Sequence, residues 1–342
     1  MTPTSQYAVT ATQAAEMMAA YIRARIVPMI HGSPGIGKSQ IAEQLASEYN
    51  LKLIDLRLAQ YDPTEINGFA NLNGSRAEYL PMAHFPLEAD PIPDGYSGWL
   101  LFLDELTSAA PAVQAAAYKL ILDRAAGMKP LHQKCAIVAA GNLATDNAIV
   151  HDMSTALQSR MAHLELRCDV DSWLTWAMKK GIDYRITSYI RHLPQRLYTF
   201  KPDHSDKTYA CPRTWEMADR LLKIMEEKNP LLRSTLGGVV TDGIASEFMS
   251  FLEVHTRLPT FDAILRAPLT TEVPQEPSVL YALSGAIAAR MDKSNFDNAM
   301  KFVLRMPPEF QVVTLKEARG RNSEITKLPS FLEFLDTLSV YF

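Results

Sequence analysis

Gly32-Ser33-Pro34-Gly35-Ile36-Gly37-Lys38-Ser39 is a complete G-x-x-x-x-G-K-[ST] pattern, set between the apolar run Ile26–Ile30 and an amphipathic stretch from Lys38 to Tyr49. That context predicts a strand, a phosphate-binding loop and a helix in succession. The glycines let successive backbone N–H groups turn inward around phosphates, Lys38 reaches the terminal phosphate oxygens, and the Ser39 hydroxyl is placed for Mg²⁺. The N-terminus of the following helix adds its dipole to the same anion site. All eight residues, Gly32 through Ser39, are therefore candidates for binding a nucleoside triphosphate.

Working outward, the spacing of Ala14, Met17, Met18, Tyr21 and Ile22 predicts a helix over 10–24, with Thr10 and Gln13 able to form a capping box. Leu51–Leu58 alternates as a second strand. Trp99–Leu103, Lys134–Ala140 and Ala162–Leu166 follow as further strands, the first two being continuous apolar runs of the kind that parallel strands show when covered on both faces. Between them, Val113, Ala116, Ala117, Leu120 and Ile121 make one apolar face of a helix over 111–123. Strands alternating with helices predict a parallel α/β domain of roughly 170 residues. Two interruptions stand out: Phe69–Leu80, with the hairpin signal Asn73-Gly74, and the turn Arg124–Pro130 around Gly127. After Arg167 the texture becomes helical, with Leu174–Lys180, Ile186–Leu193, Thr214–Glu227, Val239–Leu252 and Tyr281–Met291 the clearest helices, and a proline-rich connector at Pro268–Pro277.

The whole chain bounds these readings. Its 342 residues suffice for about two domains, and 47% hydrophobic with 21% charged residues is an ordinary globular balance. No apolar run approaches the roughly 20 residues that span a bilayer, and Met1–Gln6 lacks the basic and apolar regions of a secretory signal, so a cytoplasmic location is expected. Cys135, Cys168 and Cys211 are too widely spaced for a metal clamp and too few for a disulfide framework; they read as structural. A formal net charge of −4 gives no global electrostatic case for nucleic acid.

A phosphate loop alone does not separate kinases, GTPases and motors, and the strand ends that follow are more telling. Leu100-Leu101-Phe102-Leu103-Asp104-Glu105 is an apolar strand ending in two acids. Asp104 is placed to hold Mg²⁺ through its water shell, and Glu105 to orient or deprotonate an attacking water, which argues for hydrolysis. Ala139-Ala140-Gly141-Asn142 ends the next strand in an amide. All ends of one polarity in a parallel sheet open into one crevice, so Asn142 is expected on the γ-phosphate side.

The ordered set Gly32–Ser39, Asp104-Glu105, Asn142, Ser159-Arg160 and Cys211-Pro212-Arg213 resembles the AAA+ ATPases, and specifically the MoxR-like branch of the helix-2-insert clade, over about residues 10–260. The resemblance implies an α/β P-loop domain with a five-stranded parallel sheet (residues 1–167) and a helical lid (168–265); beyond its reach the helical texture continues as a C-terminal helical extension (266–342) with no recognisable motif. It puts a helix-2 insert near 69–80 and a hairpin before sensor 1 near 124–134, both facing substrate or partner. It makes Asn142 sensor 1 and Arg160 an arginine finger acting on the neighbouring subunit's nucleotide. Arg213 becomes sensor 2, contacting phosphate from the lid. Met161 departs from the Phe that commonly follows the finger.

ATP with Mg²⁺, a homo-hexameric ring, and a protein substrate or a partner containing a von Willebrand factor A domain are what the resemblance implies for cofactors and partners. ATP is favoured over GTP only through the family, and no Asn-Lys-x-Asp guanine signature occurs. The leading expectation is a chaperone-like ATPase that remodels or assists assembly of other proteins. The alternative is a nucleic-acid motor or restriction-type NTPase, for which Arg76, Lys129 and Lys134 would be available, although few basic residues flank either hairpin. A third reading is an NTP-driven scaffold whose assembly, not turnover, is the output.

Overall fold

The computed structural model describes residues 8–73, 76–146, 150–255 and 258–338, in two compact units: Met1–Asp169 with Lys201–Asp203, and Val170–Phe200 with His204–Phe342. The first unit runs β1 (Ala8–Val9), α1 (Ala11–Arg23), β2 (Val27–His31), α2 (Lys38–Glu48), β3 (Leu51–Arg57), α3 (Pro63–Asn67), β4 (Phe69–Asn73) and β5 (Arg76–Leu80). It continues with β6 (Gly98–Asp104), α4 (Pro111–Leu122), β7 (Ala125–Ala126), β8 (Lys129–Pro130), β9 (Cys135–Gly141), α5 (Thr155–Gln158) and β10 (Met161–Leu166).

Six strands form one parallel sheet in the order β1-β10-β2-β9-β6-β3. The five strands expected from the sequence are its body. The sixth, β1, adds two residues at the edge beside β10, through Ala8↔Glu165 and Val9↔Leu166. From Gly98 to Leu103 every residue of β6 is buried, the pattern of a strand covered on both faces. Pro28 sits in the inner strand β2, yet the ladder to β9 begins only at Met29↔Ala139, beyond this residue that has no N–H to give. On one face, Leu56, Trp99, Leu101, Leu103 and Ile137 pack with Val113, Ala117 and Leu120 of α4 in a single core. Thr10 caps α1 with its hydroxyl accepting from Gln13 N at 3.3 Å while the Gln13 side chain accepts from Thr10 N at 3.0 Å, the expected capping box.

Both interruptions are antiparallel hairpins. β4 pairs with β5 from Phe69↔Leu80 to Asn73↔Arg76; Gly74, half of the predicted turn, lies outside the described residues. β7 pairs with β8 around Gly127. The two hairpins are neighbours: a Cβ placed on Gly127 would collide with Asn67 O and lie 3.5 Å from Tyr79 Cβ.

The second unit is helical: α6 (Val170–Lys179), α7 (Tyr184–His192), α8 (Pro212–Ile224), α9 (Leu232–Val240), α10 (Asp242–His255), α11 (Phe261–Arg266), α12 (Pro277–Ala288), α13 (Phe296–Val303), α14 (Pro308–Arg321) and α15 (Pro329–Leu338). Where the sequence predicts one helix over 239–252 there are two. Thr241 takes a left-handed φ of +82° between α9 and α10, its N–H closing on Gly237 O at 3.1 Å, while Arg233 grips Asp242 with two 2.9 Å bonds. The corner leaves Val240 and Ile244 both buried. No helix among the described residues is long and apolar enough to cross a membrane.

Candidate active site

Because β2, β6 and β9 are parallel, His31, Asp104 and Gly141 all lie at the same edge of the sheet. The chain leaving β2 turns through Gly35 (φ +77°) and Gly37 (φ +103°), values that a residue with a Cβ rarely adopts. Gly37 caps α2 without a side chain, so the first N–H groups of that helix face outward into the loop. This is an anion cradle made of backbone and dipole.

The charged groups converge on it. Lys38 is 9% exposed, and its Nζ donates to Gly32 O at 2.6 Å, Ser33 O at 3.2 Å and Asn142 Oδ1 at 3.0 Å. Ser39 Oγ donates to Asp104 Oδ2 at 3.1 Å. A hydroxyl and a carboxylate oxygen side by side at a phosphate loop are the hard donors that Mg²⁺ takes when it also binds phosphate oxygens, so the residues present fit that ion. Glu105 follows on a left-handed backbone, φ +57°, with its N–H held by Asp104 Oδ1 at 2.8 Å. Lys38, Ser39, Asp104, Glu105 and Asn142 are thus one cluster, drawn from three strand ends.

Arg160 and Arg213 are not part of it. Arg160 is exposed, donates from Nη1 to Ala156 O at 2.6 Å and to Ser159 Oγ at 3.3 Å, and lies over the Tyr118 ring at 5.3 Å. Arg213 belongs to the second unit, exposed at the second position of α8, where Cys211 N–H donates to Thr214 Oγ1 at 2.8 Å.

Five residues that the sequence reading passed over also converge here. Thr107, 3% exposed, accepts from Asn142 N–H at 2.9 Å and donates to Asn142 O at 3.3 Å, so it fixes the strand end that carries the amide. Asp146 accepts from Ser33 Oγ at 3.1 Å while its other oxygen is buried with no hydrogen bond among the described residues. Burial pushes its carboxyl above the usual range, against the Ser33 hydrogen bond and the Lys38 charge. His31 Nε2 and His163 Nδ1 are 2.9 Å apart in nearly parallel rings, and His163 Nε2 is 2.8 Å from Gln158 O. The carbonyl can only accept, so a neutral His163 carries its proton on Nε2 and accepts from His31 at Nδ1, whereas a charged His163 donates from Nδ1 to His31. Burial first, then His163 and Lys38, brings the His31 pKa down to about 4. Asp55 on β3 is raised, chiefly by burial and then by the Asp104 charge. Only Ser33, within the loop pattern, carried a signal for any of these neighbours.

Residues 28–161 match the family model described as AAA domain (dynein-related subfamily). That segment holds the sheet's central strands and every member of the cluster, and the first unit accordingly has an α/β P-loop fold of the AAA type. No curated protein matches the chain in sequence. Among solved structures the chain is similar to a proline-to-glycine mutant of RuvB from Thermotoga maritima, at 16% identity over 86% of this chain and 88% of that one, with a TM-score of 0.41. A lysine-to-arginine mutant of the same protein gives 18% identity, 86% and 84% coverage and a TM-score of 0.35. A candidate ATPase from Cytophaga hutchinsonii gives 12% identity, 97% and 89% coverage and a TM-score of 0.36. Likeness this loose says nothing of what this chain acts on.

Proposed function

We propose that this chain is a Mg²⁺-dependent ATPase of the MoxR-like kind that assembles into a homo-hexameric ring and remodels, or helps assemble, partner proteins in the cytoplasm. The observation that carries the protein-directed part of this reading is the pair of adjacent hairpins. Phe69 (55% exposed), Leu72 (83%), Tyr79 (47%) and Leu80 (44%) of the first, and Met128 (71%) of the second, turn a set of large apolar side chains to solvent. The register places Phe69 and Leu80 on one face of the ribbon and Leu72 and Tyr79 on the other, and large apolar side chains left exposed in this way are the chemistry that engages protein surfaces. Lys134, available on sequence for a nucleic-acid contact, is not on either hairpin but immediately precedes β9.

In the catalytic cycle, the loop N–H groups and Lys38 bind the β and γ phosphates of ATP, with Lys38 exchanging its carbonyl partners for phosphate oxygens. Ser39 and Asp104 would hold Mg²⁺, which supplies neutralisation of phosphate charge. Glu105 takes a proton from the water that attacks the γ-phosphorus, as the bond to the ADP oxygen breaks. Asn142, fixed by Thr107, orients that water. Arg160 reaches the nucleotide of the next subunit and stabilises the charge developing there, and Arg213 contacts phosphate from the helical domain. A partner with a von Willebrand factor A domain is the expected adaptor.

Glu105→Gln and Arg160→Ala each abolish steady-state ATP hydrolysis on this reading. Mixing the two variants restores part of the activity, because one supplies a finger and the other an intact water site. Absence of rescue removes the role of Arg160 in trans. Leu72→Ser with Met128→Ser leaves basal hydrolysis intact and weakens capture of protein partners by the ATP-locked Glu105→Gln form. DNA stimulation of hydrolysis that survives this substitution would favour a nucleic-acid motor instead.

A further inference from the structure

The opposite edge of the sheet carries a second candidate site. Here the first residues of β2, β3 and β9 and the early part of β6 meet the C-terminal ends of α1 and α2 around a cleft of about 330 Å³. Its wall is apolar, with Val27, Leu45, Leu51 and Leu100 among the lining, and Ile26 (43% exposed) and Tyr49 (41%) forming an open apolar margin. Four cations line the same cleft, Arg23, Arg25, Arg124 and Lys134, and no acidic residue does among the described residues. None of the four is in an ion pair among the described residues. Arg124 is turned onto the cleft floor by its Nη2 hydrogen bond to Cys135 O, and Arg23 Nε donates to Ala19 O at 3.3 Å.

Backbone geometry supplies an independent observation. Arg25 (φ +59°) follows the last turn of α1 and Arg124 (φ +51°) that of α4, each in the left-handed position after a helix where glycine is the sterically free choice. A cation near a helix C-terminus is favoured by the helix dipole, which accounts for each arginine singly. It does not account for two of them meeting Lys134 and Arg23 over one apolar cleft that lacks a carboxylate.

We propose that this cleft binds a small amphipathic anion, an apolar body bearing a carboxylate, sulfonate or phosphate, at a site distinct from the nucleotide loop. The volume is at the lower end for small-molecule sites, roughly 300 Å³ and upward. The five residues of β2 separate it from the phosphate loop, about 16 Å at roughly 3.3 Å per residue. The apolar wall accepts the body, and the unpaired cations select the charge.

The test uses the full chain saturated with ADP, so that the phosphate loop is occupied, and 8-anilinonaphthalene-1-sulfonate as the probe in isothermal titration. Expected are one site per chain, affinity that falls as salt rises, and at least tenfold weaker binding to Arg25→Gly with Lys134→Gln. Arg25→Gly alone unfolds no earlier than the parent, because glycine relieves the left-handed φ. The uncharged N-phenyl-1-naphthylamine and inorganic phosphate alone each bind at least tenfold more weakly than the sulfonate. Unchanged affinity in the double variant, equal binding of either comparator, or no saturable binding of the sulfonate overturns the proposal.

Discussion

Thr107→Val is the most informative single change in this molecule, because it removes one hydroxyl and almost nothing else. Thr107 is 3% exposed, and its Oγ1 is the acceptor for Asn142 N–H at 2.9 Å and donates to Asn142 O at 3.3 Å. Valine fills the same space, so no cavity forms. The loss is the hydrogen bond, and the Asn142 N–H is left without its partner, at about 1–3 kcal/mol. For a unit of this size that lowers the unfolding midpoint by about 2–4 °C for each kcal/mol, so a total of roughly 2–12 °C is expected. The functional effect is separate. Asn142 Oδ1 lies 3.0 Å from Lys38 Nζ, and a reacting group misplaced by about 1 Å can cost around a hundredfold in rate. Hydrolysis should therefore fall in kcat, with KM for ATP changed much less, since the loop N–H groups that bind phosphate are untouched. Differential scanning calorimetry and a coupled ATPase assay read the two effects, and Thr107→Ser, which keeps the hydroxyl, should stay near the parent in both. A midpoint that falls while kcat stands removes the role given to Asn142. If Thr107→Val matches the parent in both assays, the hydrogen bond itself has been misjudged.

The histidine pair gives a pH dependence with a definite sign. His31 is held near a pKa of about 4 against 6.5 unfolded, with His163 and Lys38 as the charges facing it, so the unfolded chain binds more protons between those values. Stability is thus fully present above about pH 6.5 and drains as pH falls toward 4, by up to about 1.4 kcal/mol per pH unit; His31→Gln should flatten that limb in urea unfolding, and an unchanged limb would assign it elsewhere. In the second unit, Glu317 is 1% exposed, accepts from Thr187 Oγ1 at 2.8 Å and from Arg321 Nη2 at 2.9 Å, and has Arg191 at 3.7 Å. Removing Arg321 leaves a buried carboxylate short of its partner, so Arg321→Met should cost about 3–5 kcal/mol in denaturant titration, and Arg321→Met with Glu317→Leu should recover part of it. Gly127→Ala forces a Cβ against Asn67 O at φ +59° and should destabilise by about 1–2 kcal/mol, with partner capture impaired more than basal hydrolysis; an Ala variant as stable as the parent would show that the hairpins do not pack as closely as this.

Legibility in the sequence followed the range over which each signal acts. The phosphate loop and the β6 run were readable because their physics is local: glycine at positive φ, and a strand buried on both faces. β1 was not, since two residues carry no period, and it exists as a strand only through its pairing with Glu165 and Leu166. Nor was the corner at Thr241, where Val239-Val240-Thr241 has helical hydrophobic spacing on both sides and only the burial of Val240 and Ile244 demands the break. In the site the same rule holds at longer range. Asp104, Glu105 and Asn142 could be placed because strand ends of one polarity must share an edge, but Thr107 and Asp146 occupy turns after those strands, with no residue pattern to mark them. Lys134 stands close behind a hairpin in sequence, whereas parallel pairing carries it with Cys135 to the amino end of β9. A parallel sheet sorts its side chains by polarity into two edges: Lys38 thereby meets Asn142 across 104 residues of chain at one, and Arg25 joins Lys134 around the cleft at the other. An edge that carries the phosphate loop with two acids and an edge lined by cations, both on one sheet, are consequences of register, and register is what a single sequence encodes least directly.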